Sequence, residues 1–79
     1  MKLSDYVKLR RGTGRDLAIA LGVAQVLVYQ WHTGRRPVPL ERCAEIERIT
    51  NGAVTRRDLR PDDWQRIWPE LAQQEVSHA

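Results

Sequence analysis

The stretch Leu17 to Trp31, LAIALGVAQVLVYQW, constrains the fold more than any other part of the chain. Leu17, Ala18 and Leu21 share one helical face, and Ala24, Leu27, Val28 and Trp31 recur at i, i+3, i+4 and i+7. Gly22-Val23 stands between the two runs. A glycine just past the last apolar position suits a helix that ends in the left-handed region. The stretch therefore reads as two short helices joined by a tight turn and crossing steeply, with Ala18 small enough to allow close approach.

Such a pair is a helix-turn-helix, a rigid unit that holds its second member proud of the surface. The face opposite the docked one carries Val26, Tyr29, Gln30 and Thr33, with Gln25 at the N-terminal tip. No charge lies on that face, only amides, a phenol, a hydroxyl and a small apolar group. These groups can read base edges in a major groove: Gln against adenine, Val against a thymine methyl, Tyr or Thr against several acceptors. Gln25, Val26, Tyr29 and Gln30 are the candidate base readers. Arg35 and Arg36 follow the helix, and Arg15 precedes the one before it; all three are candidate phosphate clamps, which position the protein without reading sequence. The simpler alternative is a helical hairpin whose outer face meets only solvent. An exposed Val26 and Tyr29 on a helix tip count against it.

Charge placement supports a polyanionic partner. Residues 1–36 hold seven Lys and Arg against two acids, whereas residues 61–79 hold Arg66 against Asp62, Asp63, Glu70 and Glu75. From Leu17 through Leu40 there is no acid at all. A basic half with an acid-free window suits nucleic acid, and the acidic end would be held away from it.

The remaining elements are short and helical. Ser4 can cap a first helix from Asp5 to about Arg11, and Thr13-Gly14-Arg15-Asp16 resembles a capping box for a second, to about Leu21. The third runs from Ala24 or Gln25 to His32 or Thr33 and stops at Gly34; a fourth spans Leu40 to about Thr50. Thr55-Arg56-Arg57-Asp58 opens one further turn through Leu59, and Pro61 begins a last helix to about Gln73, followed by a flexible tail over 74–79. Ala53-Val54-Thr55 is too short to make a sheet alone. The expected fold is all-α, a compact bundle of about five short helices in one domain over 1–79.

Seventy-nine residues leave room for a binding surface but little for a deep catalytic cleft. The single cysteine, Cys43, excludes an internal disulfide and lies in line with Leu40, Ile46 and Ile49, as a buried structural thiol does. No run reaches the ~18 residues of a membrane span, and the N-terminus lacks the apolar stretch of a signal peptide. The expected location is the bacterial cytoplasm, at the nucleoid. Cys43, His32 and His78 lack metal-ligand spacing. His32 could touch a phosphate but is read as a surface residue without function. No Gly-rich phosphate loop, nucleophile elbow or carboxylate pair is present, and Asp62-Asp63 reads as helix N-terminal chemistry. No catalytic residue, cofactor, metal or small-molecule substrate is expected.

Trp64, Ile67, Trp68 and Leu71 form a last apolar stripe at i, i+3, i+4 and i+7. Folding back onto a thin core uses at least Trp64, while Trp68 and Leu71 could remain outside as a dimer contact. One helix reads only about half a turn of DNA, so a weak homodimer on a palindrome would supply the missing affinity.

With these residues in place, a resemblance can be given. Leu17-Ala18, Leu21-Gly22-Val23, Val28 and Trp31 resemble the helix-turn-helix of the phage Cro and CI repressor superfamily, the lambda repressor-like DNA-binding domain. Trp31-His32-Thr33-Gly34-Arg35-Arg36 and Pro37 through Glu47 are similar to the all-helical Cro proteins of prophages, and equally to the YdaS-type antitoxins built on the same domain. Asn51 through Asp62 extends the similarity, to about residue 71. The resemblance implies a sequence-specific double-stranded DNA-binding regulator, a Cro-like repressor on a palindromic operator, with Thr33, Arg35 and Arg36 beside the phosphates. Its alternative is an antitoxin that binds a toxin protein and regulates its own operon. The chain departs from the family pattern twice. Ala24 stands where a capping Ser or Thr is common, and Gly14 where a Gln often contacts phosphate, leaving neighbouring Arg15 as the substitute.

Overall fold

The computed structural model describes residues 1–72. Among them six helices follow in order: α1 Leu3–Val7, α2 Thr13–Leu21, α3 Gln25–His32, α4 Leu40–Ile49, α5 Arg56–Leu59 and α6 Trp64–Ile67. No strand occurs among the described residues, so Ala53-Val54-Thr55 is irregular backbone. No helix there is long and apolar enough to cross a membrane.

The inner faces of α2, α3 and α4 build the core. Leu17, Ala18 and Leu21 of α2, Val28 and Trp31 of α3, and Cys43 and Ile46 of α4 form one buried cluster, completed by Leu3, Val38 and Val54. Val28, Cys43, Ile46 and Val54 are 1% exposed or less. Burying a side chain of this size stabilises by roughly 1.5–3 kcal/mol before cavity effects. The core therefore clamps the helix-turn-helix at its centre.

The turn between α2 and α3 has the geometry the glycine predicts. Gly22 sits at φ 72°, ψ 31°; its amide donates to the Ile19 carbonyl (3.1 Å), and the Val23 amide donates to the Ala18 carbonyl (3.0 Å). This pair of bonds is the Schellman arrangement, which satisfies the last free carbonyls of α2 and turns the chain in two residues. Arg42 on α4 adds a second tie: its Nη1 donates to the Leu21 carbonyl at 3.3 Å and to Glu45 Oε1 at 3.1 Å. A cation at the carbonyl end of a helix is favourable, and α2 has no basic residue of its own in that turn.

The expected N-terminal caps differ from those observed. Ser4 lies inside α1, whose cap residue is Lys2 with no side-chain bond, and the helix stops at Val7 rather than Arg11. Thr13 is the first residue of α2, not its cap. Gly12 takes the cap position at φ 86°, and the Thr13 hydroxyl turns back to donate to the Arg10 carbonyl at 2.8 Å. A reciprocal capping box does form at Thr55: its hydroxyl accepts from the Asp58 amide, and Asp58 accepts from the Thr55 amide.

Polar contacts tie α5 to α4 and to the N-terminus, and Leu59 packs against the buried cluster. Glu47 Oε1 accepts from the Arg56 amide at 2.8 Å, and the N-terminal ammonium lies 3.0 Å from Asp58 Oδ2. Arg60 grips Asp63 with two nitrogens (2.7 and 3.1 Å) and donates to the Val38 carbonyl at 3.4 Å.

The last helix is broken. α6 ends at Ile67, Trp68 is non-helical, and one more turn spans 69–72. Pro69 explains the break, because proline drives the preceding residue out of the α region and has no amide to donate. The roles of the two tryptophans also shift. It is Trp68 that packs against the buried cluster, with the Arg56 guanidinium 5.5 Å above its ring; Trp64 is half-buried under Arg57 at 4.4 Å. Gln73 and the 74–79 tail lie outside the described residues.

Candidate nucleic-acid interface

Val28 and Trp31 are buried and Leu27 packs against the core, which fixes the rotation of α3 about its axis. The other side faces outward as a consequence. Gln25 is exposed at the first position, Val26 is 60% exposed and Tyr29 52%, while Gln30 is half-buried one position further round. The four candidate readers therefore lie together on one helix, with Gln30 at the margin of the face. Among the described residues the Tyr29 hydroxyl and both glutamine amides have no protein partner.

The cap residue of α3, Ala24, gives no side-chain bond. Its carbonyl accepts the Leu27 amide, and the amides of Gln25 and Val26, at the positive end of the helix, have no partner among the described residues.

The C-terminal end is closed more firmly. The Thr33 amide and hydroxyl both donate to the Tyr29 carbonyl, at 3.1 and 2.8 Å, and the Arg36 amide reaches back to the Gln30 carbonyl at 3.1 Å. Gly34 at φ 81° permits that reversal. The loop is thus folded against the end of α3, and exposed Arg35 and Arg36 follow directly on the helix that carries the candidate readers. Thr33 is exposed as well, but its single proton is committed to the helix end, and a phosphate contact would have to compete with that bond.

Arg15 projects from the first turn of α2, exposed and on a separate element. Arg15, Arg35 and Arg36 make no ion pair among the described residues, and no acid occurs from α3 through the loop that follows it. Charge free of internal partners is what a phosphate backbone requires.

Two features were not anticipated. Tyr29 and His32 stack edge to face, ring centroids 5.4 Å apart and planes at 85°. Their i, i+3 spacing was the available signal. The second is a groove of about 600 Å³ below the end of α3, where Lys2, His32, Arg36 and Arg57 line an apolar floor including Trp31, Val38 and Leu59. Residues so far apart in sequence meet only through the tertiary fold.

No group of His, Cys, Asp and Glu among the described residues could hold a metal ion. Cys43 is fully buried, its Sγ 3.4 Å from the Pro39 carbonyl, and burial pushes the thiol up to about 11.

Residues 7–67 match the family model described as bacterial toxin YdaS. A protein of Escherichia coli (strain K12) named "Putative transcriptional regulator YdaS" is 51% identical over 49 residues, which are 61% of this chain and 50% of that protein. The chain thus spans about half the length of the curated relative it matches.

Proposed function

The chain belongs to the YdaS family, and from that premise we propose that it is a transcriptional regulator that binds double-stranded DNA by sequence. The observation that carries this reading is the outward face of α3: uncharged, hydrogen-bonding and exposed, flanked by arginines that form no ion pair among the described residues. The regulator named among the relatives supports it.

In this mechanism α3 enters the major groove. Gln25, Val26, Tyr29 and Gln30 meet base edges, while Arg15, Arg35 and Arg36 neutralise phosphates on either side. Thr33 holds the end of the helix, beside the backbone. The protein acts as a Cro-like repressor: it occupies an operator and excludes polymerase. Two copies bind a palindrome through a weak contact at the half-buried Leu71 and Trp68. No cofactor enters, and the protein works in the cytoplasm.

The test is selection from a pool of random-sequence duplexes, followed by binding measurements against salt. Recovery of a symmetric motif with half-sites about ten base pairs apart supports the reading. Recovery of unrelated sequences bound equally well overturns it.

A second reading comes from the acidic, Trp-bearing C-terminal segment, on a chain whose matched family is itself described as a toxin. Here the chain is one half of a toxin–antitoxin pair; as the antitoxin, it binds the toxin protein and regulates its own operon. The acidic C-terminal segment, where Trp64, Ile67, Trp68 and Leu71 stay half-buried, is the surface available for that contact. Both functions fit in one chain.

A further inference from the structure

We propose that His32 is a positioning residue for DNA reading, setting the aim of Tyr29 rather than touching DNA itself. This rests on the assignment of α3 as the reading helix. Tyr29 is 52% exposed, and a half-exposed phenol on a helix would ordinarily sample several rotamers. Here its ring meets the edge or face of His32 at 5.4 Å with planes at 85°, an arrangement favoured by the charge distribution of aromatic rings. His32 is itself partly enclosed. It is half-buried in the last turn of α3 and borders the groove with Trp31, Pro37 and Val38. The Tyr29 carbonyl is pinned as well, by the Thr33 amide and hydroxyl. Backbone and ring thus each carry a contact, and the phenol hydroxyl of this exposed residue has no partner among the described residues. Holding the side chain before DNA arrives removes an ordering cost that binding would otherwise carry.

The test is a double-mutant cycle on the duplex that wild-type protein selects from a random pool, with His32→Ala, His32→Phe, Tyr29→Ala and the two doubles. Circular dichroism and thermal melting confirm that each variant folds. His32→Ala should weaken binding roughly two- to tenfold and relax base preference at the position that Tyr29→Ala also relaxes. His32→Phe should restore both, since it keeps the ring. In the Tyr29→Ala background neither change at His32 should matter. Equal losses from His32→Ala with and without Tyr29 overturn the proposal, because His32 would then act on DNA directly. So does an unchanged base preference. Failure of the wild type to select any sequence removes the DNA-reading assignment itself, a separate result.

Discussion

The Val23 amide donates to the Ala18 carbonyl at 3.0 Å, across a glycine in the left-handed region. That bond joins the last turn of α2 to the two-residue turn that precedes the α3 cap, Ala24. It sets the angle at which the outer face of α3 leaves the surface, and the arginines that flank it inherit the same frame.

Gly22→Ala tests the turn, and Gly14→Ala is its control. Nothing lies within 4 Å of a Cβ at Gly22, so the cost is backbone strain alone at φ 72°, about 1–2 kcal/mol. At Gly14 the new methyl would meet Val7 at 3.9 Å, an ordinary contact on a helical backbone. It should stabilise by about 0.4–1 kcal/mol. Urea unfolding of both variants should give shifts of opposite sign; shifts in the same direction refute the conformational account.

On selected DNA, Gln25→Ala and Gln30→Ala should each cost about 1–3 kcal/mol and relax sequence choice. Arg35→Ala should weaken all duplexes alike and reduce the salt slope by about one. Fluorescence anisotropy over a salt series distinguishes the two patterns. If neither glutamine variant changes affinity, the readers are wrongly assigned.

The capping box makes α5 acid-sensitive. Burial alone would raise the Asp58 pKa, but bonds from the Thr55 amide and hydroxyl and from the N-terminal ammonium outweigh it and hold the carboxyl below its ordinary value. A depressed folded-state pKa gives stability that is present above the unfolded value near 4 and lost as pH falls through the folded one. Thr55→Ala should cost about 0.5–2 kcal/mol at neutral pH. Asp58→Asn should be less stable at pH 7 yet lose less on acidification, as read from melting temperatures between about pH 7 and 2.

At the alkaline end the buried thiol adds a pH dependence of its own. Cys43 is raised from 9.0 to about 11, mainly by burial, so between those values only the unfolded chain ionises. Stability should therefore fall as pH rises from about 9. Cys43→Ala should flatten that slope. In the native protein the thiol should resist disulfide reagents at pH 8 and react promptly once denatured; fast native labelling would contradict the burial.

Much of this was legible in the chain itself. Gln25–His32 and Leu40–Ile49 fall where apolar periodicity and Gly or Pro punctuation put them. The inward and outward faces of α3 follow from 3.6 residues per turn. Pro69 carried a local signal as well, and the break at Trp68 is its ordinary consequence.

Other features depend on what surrounds a residue. Ser4 and Thr13 have capping chemistry, yet Lys2 and Gly12 hold the cap positions because the flanking turns leave the hydroxyls elsewhere. Periodicity alone could not choose which tryptophan packs inward, since Trp64 and Trp68 lie on one stripe; contact with the core and Arg56 took Trp68. The positions of α3 and α4, the left-handed turn at Gly22 and the composition of the outer face of α3 were thus determined by sequence, because backbone sterics and side-chain period act over a few residues. The tie from Arg42 to Leu21 and the groove joining Lys2 to Arg57 were decided only by the tertiary structure, because distant segments meet only when the core closes.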